Sequence, residues 1–215
     1  MTEALKAPKF IGERIKRRED PRLIQGLAKY VDDLAPPGCL HVAIARSTHA
    51  HAHLKSVDPG PALSLPGVVA VFTGEDTKDV GPVPVVALTD DTKVPHHPIL
   101  AQGKVRYVGE PIAAVVATDR YVAQDATDLV RVEYEPLPAV VDPEKALEPG
   151  ATKVHDEFED NLAFTWAVPG EGVDAALEKS DRVIQQRMTN GRVVPNPMET
   201  RGALADYDPG AEKLT

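Results

Sequence analysis

Only one of the 215 residues is a cysteine, Cys39. That excludes an internal disulfide framework and any iron–sulfur cluster held by this chain alone. Positive charge is short as well: 24 basic residues against 33 acidic ones leave a net charge of -9, which argues against a nucleic-acid partner. Long apolar runs are missing. A stretch such as Ile112 to Ala117 falls far below the roughly 20 residues that a membrane-spanning helix needs. The opening MTEALKAPKFIGERIKRRED has no apolar core of signal-peptide length, so a soluble cytoplasmic protein with no transmembrane segment is the expectation.

Chemical motifs are equally scarce. No Gly-x-Gly-x-x-Gly follows a strand and no Gly-x-x-x-x-Gly-Lys-Ser/Thr loop is present, so dinucleotide and phosphate-loop folds lack support. None of Ser47, Ser56, Ser64 and Ser180 sits in a Gly-x-Ser-x-Gly elbow. Cys39 precedes a strand after Pro36-Pro37-Gly38, a setting that suits a packed free thiol better than a nucleophile. Acidic residues abound, yet no pair with matched environments stands out.

What is present is a chain of ordinary globular composition, 42% hydrophobic and 27% charged, with 20 prolines that favour short elements. Its most informative stretch is Lys104 to Asp142. Val105, Tyr107 and Ile112 to Val116 form an apolar run suited to a buried strand, interrupted at Gly109-Glu110-Pro111, where proline predicts a bulge or a strand start. Thr118 or Asp119 can cap a helix that places Val122, Ala126, Leu129 and Val130 on one face. Val130, Val132 and Tyr134 then alternate with Arg131, Glu133 and Glu135 as a half-buried strand. Strand, helix and strand in succession predict a parallel pair with a right-handed crossover.

Elsewhere the pattern predicts strands near 40–46 and 68–73, a short helix near 59–65 capped at Asp58-Pro59, and a long excursion from Gly81 to Pro98. His49, His51 and His53 alternate. They suit either a metal-holding face of a strand or simply a polar strand face, and His96-His97 offers a second, weaker metal candidate. Residues 1–22 read as a basic arm, 23–141 as an α+β domain around one sheet, and 142–160, acidic and marked by proline, as a linker. In 161–215 the pattern predicts strands at 161–168, 183–188 and 202–207 and a helix around Val173 to Leu177. This segment has too few large apolar residues for a comfortable core and reads as an incomplete domain.

Val108-Gly109-Glu110-Pro111-Ile112-Ala113-Ala114-Val115-Val116-Ala117, then Asp119-Arg120-Tyr121 and Val132-Glu133-Tyr134-Glu135-Pro136-Leu137-Pro138, resembles the hammerhead domain of molybdenum hydroxylase large subunits. That family contains aldehyde oxidases, xanthine dehydrogenases and aerobic carbon monoxide dehydrogenases, and the likeness is greatest to the last branch. The opening from Ile11 to Leu34 belongs to the same resemblance. So does Arg46 to His53, where Thr48 stands at a position often held by proline and the histidines are a structural feature of a strand end. Pro197-Met198-Glu199-Thr200-Arg201-Gly202-Ala203 is similar to the family's Met-Glu-Pro-Arg-Gly, with Thr200 in place of proline.

The resemblance implies an α/β-hammerhead domain with a mixed sheet and short helices, followed by the truncated start of the molybdenum-cofactor-binding domain. It covers roughly the first quarter to third of a family large subunit. The implied chemistry is oxygen transfer at a molybdenum–pterin centre, with electrons leaving through 2Fe-2S clusters to FAD on partner subunits. The segments that hold the cofactor lie beyond Thr215, so no catalytic, cofactor-binding or metal residue is assigned to this chain. The remaining large-subunit polypeptide and the iron–sulfur and flavin subunits are the implied partners. Two other readings compete: a free-standing hammerhead binding or assembly module without redox activity, and a small metalloenzyme built on His49, His51 and His53.

Overall fold

A computed structural model describes residues 12, 14–86, 89–168, 170–197 and 199–215. In chain order the elements are α1 (Asp20–Ile24), β1 (His41–Arg46), β2 (Ala52–Asp58), α2 (Gly60–Leu63), β3 (Val68–Thr73), β4 (Lys104–Val105), β5 (Pro111–Ala117), α3 (Arg120–Thr127), β6 (Arg131–Pro136), α4 (Val173–Glu178), β7 (Tyr207–Asp208) and β8 (Lys213–Leu214). Single 3-10 turns lie at Val31–Asp33 and Lys145–Leu147. The chain divides into two units, one of residues Met1–Pro37 and Gln186–Thr215, the other Gly38–Gln185.

The larger unit carries two three-stranded sheets, β1-β5-β3 and β4-β2-β6, and every pairing in them is antiparallel. The α+β class stands. The expected parallel pair does not form, because β5 and β6 lie in different sheets. β2 takes β6 instead, with Leu54 opposite Tyr134 and Val57 opposite Val132. Those four side chains pack on the buried Ala52, Ala101, Val105 and Ile112. An antiparallel partner that buries an aliphatic and aromatic pair outweighs a generic preference for crossover connections.

In the first sheet β5 is central and its Val115 packs with Ala62 of α2 and Ala126 of α3, flanked by Leu65, Val68, Val71 and Val130. Asp119 starts α3: its carboxylate accepts from the amides of Tyr121 at 2.8 Å and Val122 at 3.2 Å, satisfying two of the helix's free donors. The buried residues of α3 are Ala123 and Ala126; of the expected face Val122, Ala126, Leu129 and Val130, Ala126 is buried and Val130 packs on the same core, while Leu129 is exposed. The small side chains of Ala123 and Ala126 let the helix lie close to the sheet.

At two positions in the larger unit the geometry calls for glycine directly. Gly109 has φ +89°, a left-handed backbone that a Cβ disfavours. At Gly74 a Cβ would come within 2.2 Å of the Ala101 carbonyl oxygen.

The strands expected at 161–168 and 183–188 are absent. Residues 161–168 are held by single bonds rather than a ladder: Lys93 N donates to Ala163 O and Thr165 N to Asp91 Oδ2, each at 2.8 Å. An extended segment without a neighbouring strand has no ladder to join, and among the described residues none pairs with 183–188. The 202–207 strand reduces to the short β7, which pairs with β8 in the smaller unit. There, Asp206 and Thr215 exchange backbone bonds of 2.9 and 2.8 Å, and Val31 N donates to Glu199 Oε1 at 3.2 Å.

Candidate functional site

The polar groups of the larger unit converge where the segment 46–53 meets the turn 104–111. Arg46 Nη1 donates to Gly109 O at 2.9 Å, Ser47 N to Glu110 O at 2.9 Å, and Gly109 N to Ser47 O at 2.8 Å. Glu110 is buried, 3% exposed, and its carboxylate accepts from the amide of Arg106. A buried carboxylate needs such donors to be tolerated at all. The resembled Gly109-Glu110-Pro111 therefore has a structural account. Glycine allows the turn, glutamate satisfies it from inside, and proline begins β5 while its carbonyl accepts from Ala101 N at 2.7 Å.

The three alternating histidines part company. His49 stacks on Tyr134 with ring centroids 4.2 Å apart. His51 is buried, its Nδ1 2.8 Å from Pro138 O, so that nitrogen carries the proton and donates, and Nε2 faces no partner. His53 lies in β2 opposite Glu135. His97 sits edge-on to Tyr107. Cys39 is half-buried, its thiol 3.4 Å from Leu40 O. No three His, Cys, Asp or Glu side chains among the described residues are placed to hold a metal ion.

Beside this turn the segment 142–161 is fastened down. Lys104, 6% exposed, pairs with Asp156 at 2.8 Å, and this bond holds the Asp156 carboxyl below the ordinary carboxylate range. Asn161 ties the segment to itself, accepting from Val154 N and donating to the carbonyls of Ala146 and Thr152. His155 packs edge-on to Phe158; burial first, then the nearby Arg106 charge, pushes its pKa down from 6.5. A sequence reading had no means to find the Lys104–Asp156 pair, 52 residues apart. An open cavity of about 450 Å³ adjoins it, lined by Val94, His96, Pro98, Gln102, Arg106, Glu157 and Phe158.

Among the described residues the arrangement offers no metal donor set. Residues 25–138 match the family described as aldehyde oxidase and xanthine dehydrogenase, a/b hammerhead domain, which is more than half of the chain. The chain belongs to that family. Residues 154–215 match a second description, the molybdopterin cofactor-binding domain. The chain is 40% identical to the carbon monoxide dehydrogenase large chain of Afipia carboxidovorans, an alignment that takes in all of this chain and 28% of that one. It is 38% identical to the nicotine 6-hydroxylase large subunit of Paenarthrobacter nicotinovorans, over 95% of this chain and 25% of that one. Among solved structures, quinoline 2-oxidoreductase from Pseudomonas putida 86 superimposes with a TM-score of 0.82 at 39% identity, covering 93% of this chain and 25% of the other. The chain thus spans about a quarter of the length of these relatives. No helix among the described residues is long and apolar enough to cross a membrane.

The match of residues 154–215 raises the question of whether the residues around the cavity fit the cofactor. The open cavity does not suit it: its one guanidinium, Arg106, shares it with the carboxylate of Glu157, and among the described residues no trio of His, Cys, Asp or Glu is placed to ligate a metal. Met198 of the Pro197–Ala203 segment lies outside the described residues, and Glu199 of that segment holds the amide of Val31.

Proposed function

We propose that this chain is the N-terminal, structural part of a molybdopterin-dependent oxidoreductase large subunit, without catalysis of its own. One observation carries the reading: every described residue after Asn161 is exposed, including Trp166 at 73% and Ile184 at 79%. The segment matched to the molybdopterin cofactor-binding domain carries too few large apolar residues for a core of its own, and none of those described past Asn161 is buried. We take residues 161–215 as the opening of that domain, 23–141 as the hammerhead and 142–160 as the connection between them.

In the complete enzyme the cofactor would supply oxygen-transfer and redox chemistry, and the electrons would pass to 2Fe-2S and FAD groups on partner subunits. This chain's part is to pack against the cofactor-bearing region and to position it. The substrate is a property of that region. A cytoplasmic location accords with the composition and with a single, half-buried thiol.

The test is purification of the 215-residue chain, followed by metal analysis and dye-reduction assays with aldehydes, purines and carbon monoxide. The expected outcome is no stoichiometric molybdenum and no turnover. Molybdenum bound one-to-one with turnover would overturn the proposal.

A further inference from the structure

The sheet β1-β5-β3 has two unlike faces. Residues opposite one another in an antiparallel pair project to the same side, so the register sorts them. Ala43, Val115 and Val71 form one rung, and Ala45, Ala113 and Thr73 the next, on the side that α2 and α3 cover. The intervening rungs point the other way. Val42, Val116 and Ala70 make one, and Ile44, Ala114 and Phe72 the other. All six are apolar. None is buried, and Val42 and Phe72 remain 60% and 45% exposed. Ile112, the next residue of β5 on this side, is buried against the other sheet, which closes the patch at that end.

A sheet face that meets water alternates apolar-in with polar-out along each strand. Here β1, β5 and β3 each carry aliphatic or aromatic side chains on both sides through these rungs. That is the composition of a strand sandwiched between two layers, with only one layer present. The two rungs contain no charged or hydrogen-bonding side chain, so their occupant is itself apolar.

We infer that this open face is the docking surface for the rest of the large-subunit polypeptide, through an aliphatic-rich layer laid across β1, β5 and β3. The inference rests on the reading of the chain as part of such a subunit. The relatives supply the occupant: about three quarters of each lies outside the matched part. That is ample chain to provide a second layer. A partner subunit reached through charge would leave these rungs bare.

The test uses the relative of known large-chain sequence. The 215-residue chain is co-expressed with the complementary, C-terminal three quarters of the Afipia carboxidovorans carbon monoxide dehydrogenase large chain, tagged for capture. Capture of the wild-type chain is expected, together with slowed amide hydrogen exchange in 41–46, 68–73 and 111–117. Val42→Asp and Phe72→Asp should each weaken capture roughly a hundredfold, since an unpaired carboxylate would be pressed into an apolar contact. Asp125→Lys, exposed on α3 across the sheet from this face, serves as the charge control and should capture as wild type. Both face variants change exposed side chains, and circular dichroism verifies that they remain folded; Val42→Thr and Phe72→Gln, milder in charge and shape, should give intermediate losses.

If the wild-type chain is captured and the two aspartate variants are captured equally well, the docking face is elsewhere, although the large-subunit reading stands. If the wild-type chain is not captured at all, that reading itself fails. If light scattering instead shows the chain alone as a dimer that Phe72→Asp dissociates, the face belongs to a second copy and the inference is overturned.

Discussion

Gly74→Ala makes the sharpest quantitative test of the packing between the end of β3 and the Ala101 turn. The new methyl would sit 2.2 Å from Ala101 O and 3.0 Å from its carbonyl carbon, about 1 Å inside an ordinary contact. The obstacle cannot swing aside as a side chain would. Ala101 is 3% exposed, belongs to the core around Val105 and Ile112, and donates its amide to Pro111 O at 2.7 Å. Moving it would disturb the start of β5. Overpacking costs about 1–3 kcal/mol, and a backbone obstacle places this case near the upper value. For a chain of this length about 3 kcal/mol lowers the melting temperature by roughly 6–12 °C. Alanine also restricts the unfolded chain, an opposing effect of about 0.4–1 kcal/mol. Gly81→Ala isolates that term, because nothing lies within 4 Å of its Cβ position and its φ is not in the left-handed region. The assay is thermal unfolding followed by circular dichroism; the lone Trp166 is too exposed to report on the core. Gly81→Ala should melt at or slightly above wild type. If Gly74→Ala melts within a degree of Gly81→Ala, the close approach of β3 to the Ala101 turn is refuted.

The ion pair beside the turn gives a second expectation. Asp156→Ala strands the Lys104 ammonium, whose side chain is 8% exposed, but Asp156 is 72% exposed and water can replace it. The loss should be about 1–2 kcal/mol in urea unfolding rather than the 3–5 of a wholly buried pair, and Lys104→Met in addition should recover most of it. A third concerns pH. His155 has its pKa depressed below 6.5 in the folded chain, so the unfolded chain binds more protons below that value. Stability from this group is complete above pH 6.5 and falls as pH drops toward the folded pKa; His155→Gln should flatten that part of a stability profile between pH 7.5 and 5.5, and an unchanged slope would refute the attribution. The Asp156 carboxyl behaves differently: its depressed pKa means that its contribution is present above 3.8 and lost only below it. Fourth, limited trypsin digestion should cut first at the exposed Lys179, Arg182 and Arg192 and leave a fragment that retains 142–161, since Lys104–Asp156 and the Asn161 bonds hold that segment to the larger unit. Early loss of everything after Asp142 would show that the segment is not held.

How far these features could be read from the residues depends on how local their causes are. Asp119 capping α3, Pro66-Gly67 ending α2, and the apolar β3 are set by neighbours within a few positions, and the sequence pattern placed each within one or two residues; the run expected as one strand near 105–117 instead splits at Gly109-Glu110 into β4 and β5, which join different sheets. β2 escaped because a register shift between Leu54 and Ser56 breaks its period-two signal, and of the three alternating histidines only His53 lies in it. Missing β2 then hid the second sheet, since β6 needs a partner and the nearest helix-linked strand, β5, was the default choice. Leu54 with Tyr134 and Val57 with Val132 decide the matter across some 75–80 positions, and no window of residues contains that comparison. The strands expected at 161–168 and 183–188 erred in the opposite direction. Alternation reports a side chain's wish for two environments, and a strand forms only when a second backbone supplies the ladder. The same reasoning joins the two halves of the chain. In the hammerhead an apolar sheet face stands open; after Asn161, apolar side chains stand without an interior. Patterning that anticipates burial, on a backbone that does not provide it, is what the proposed large-subunit reading expects of surfaces covered by further polypeptide.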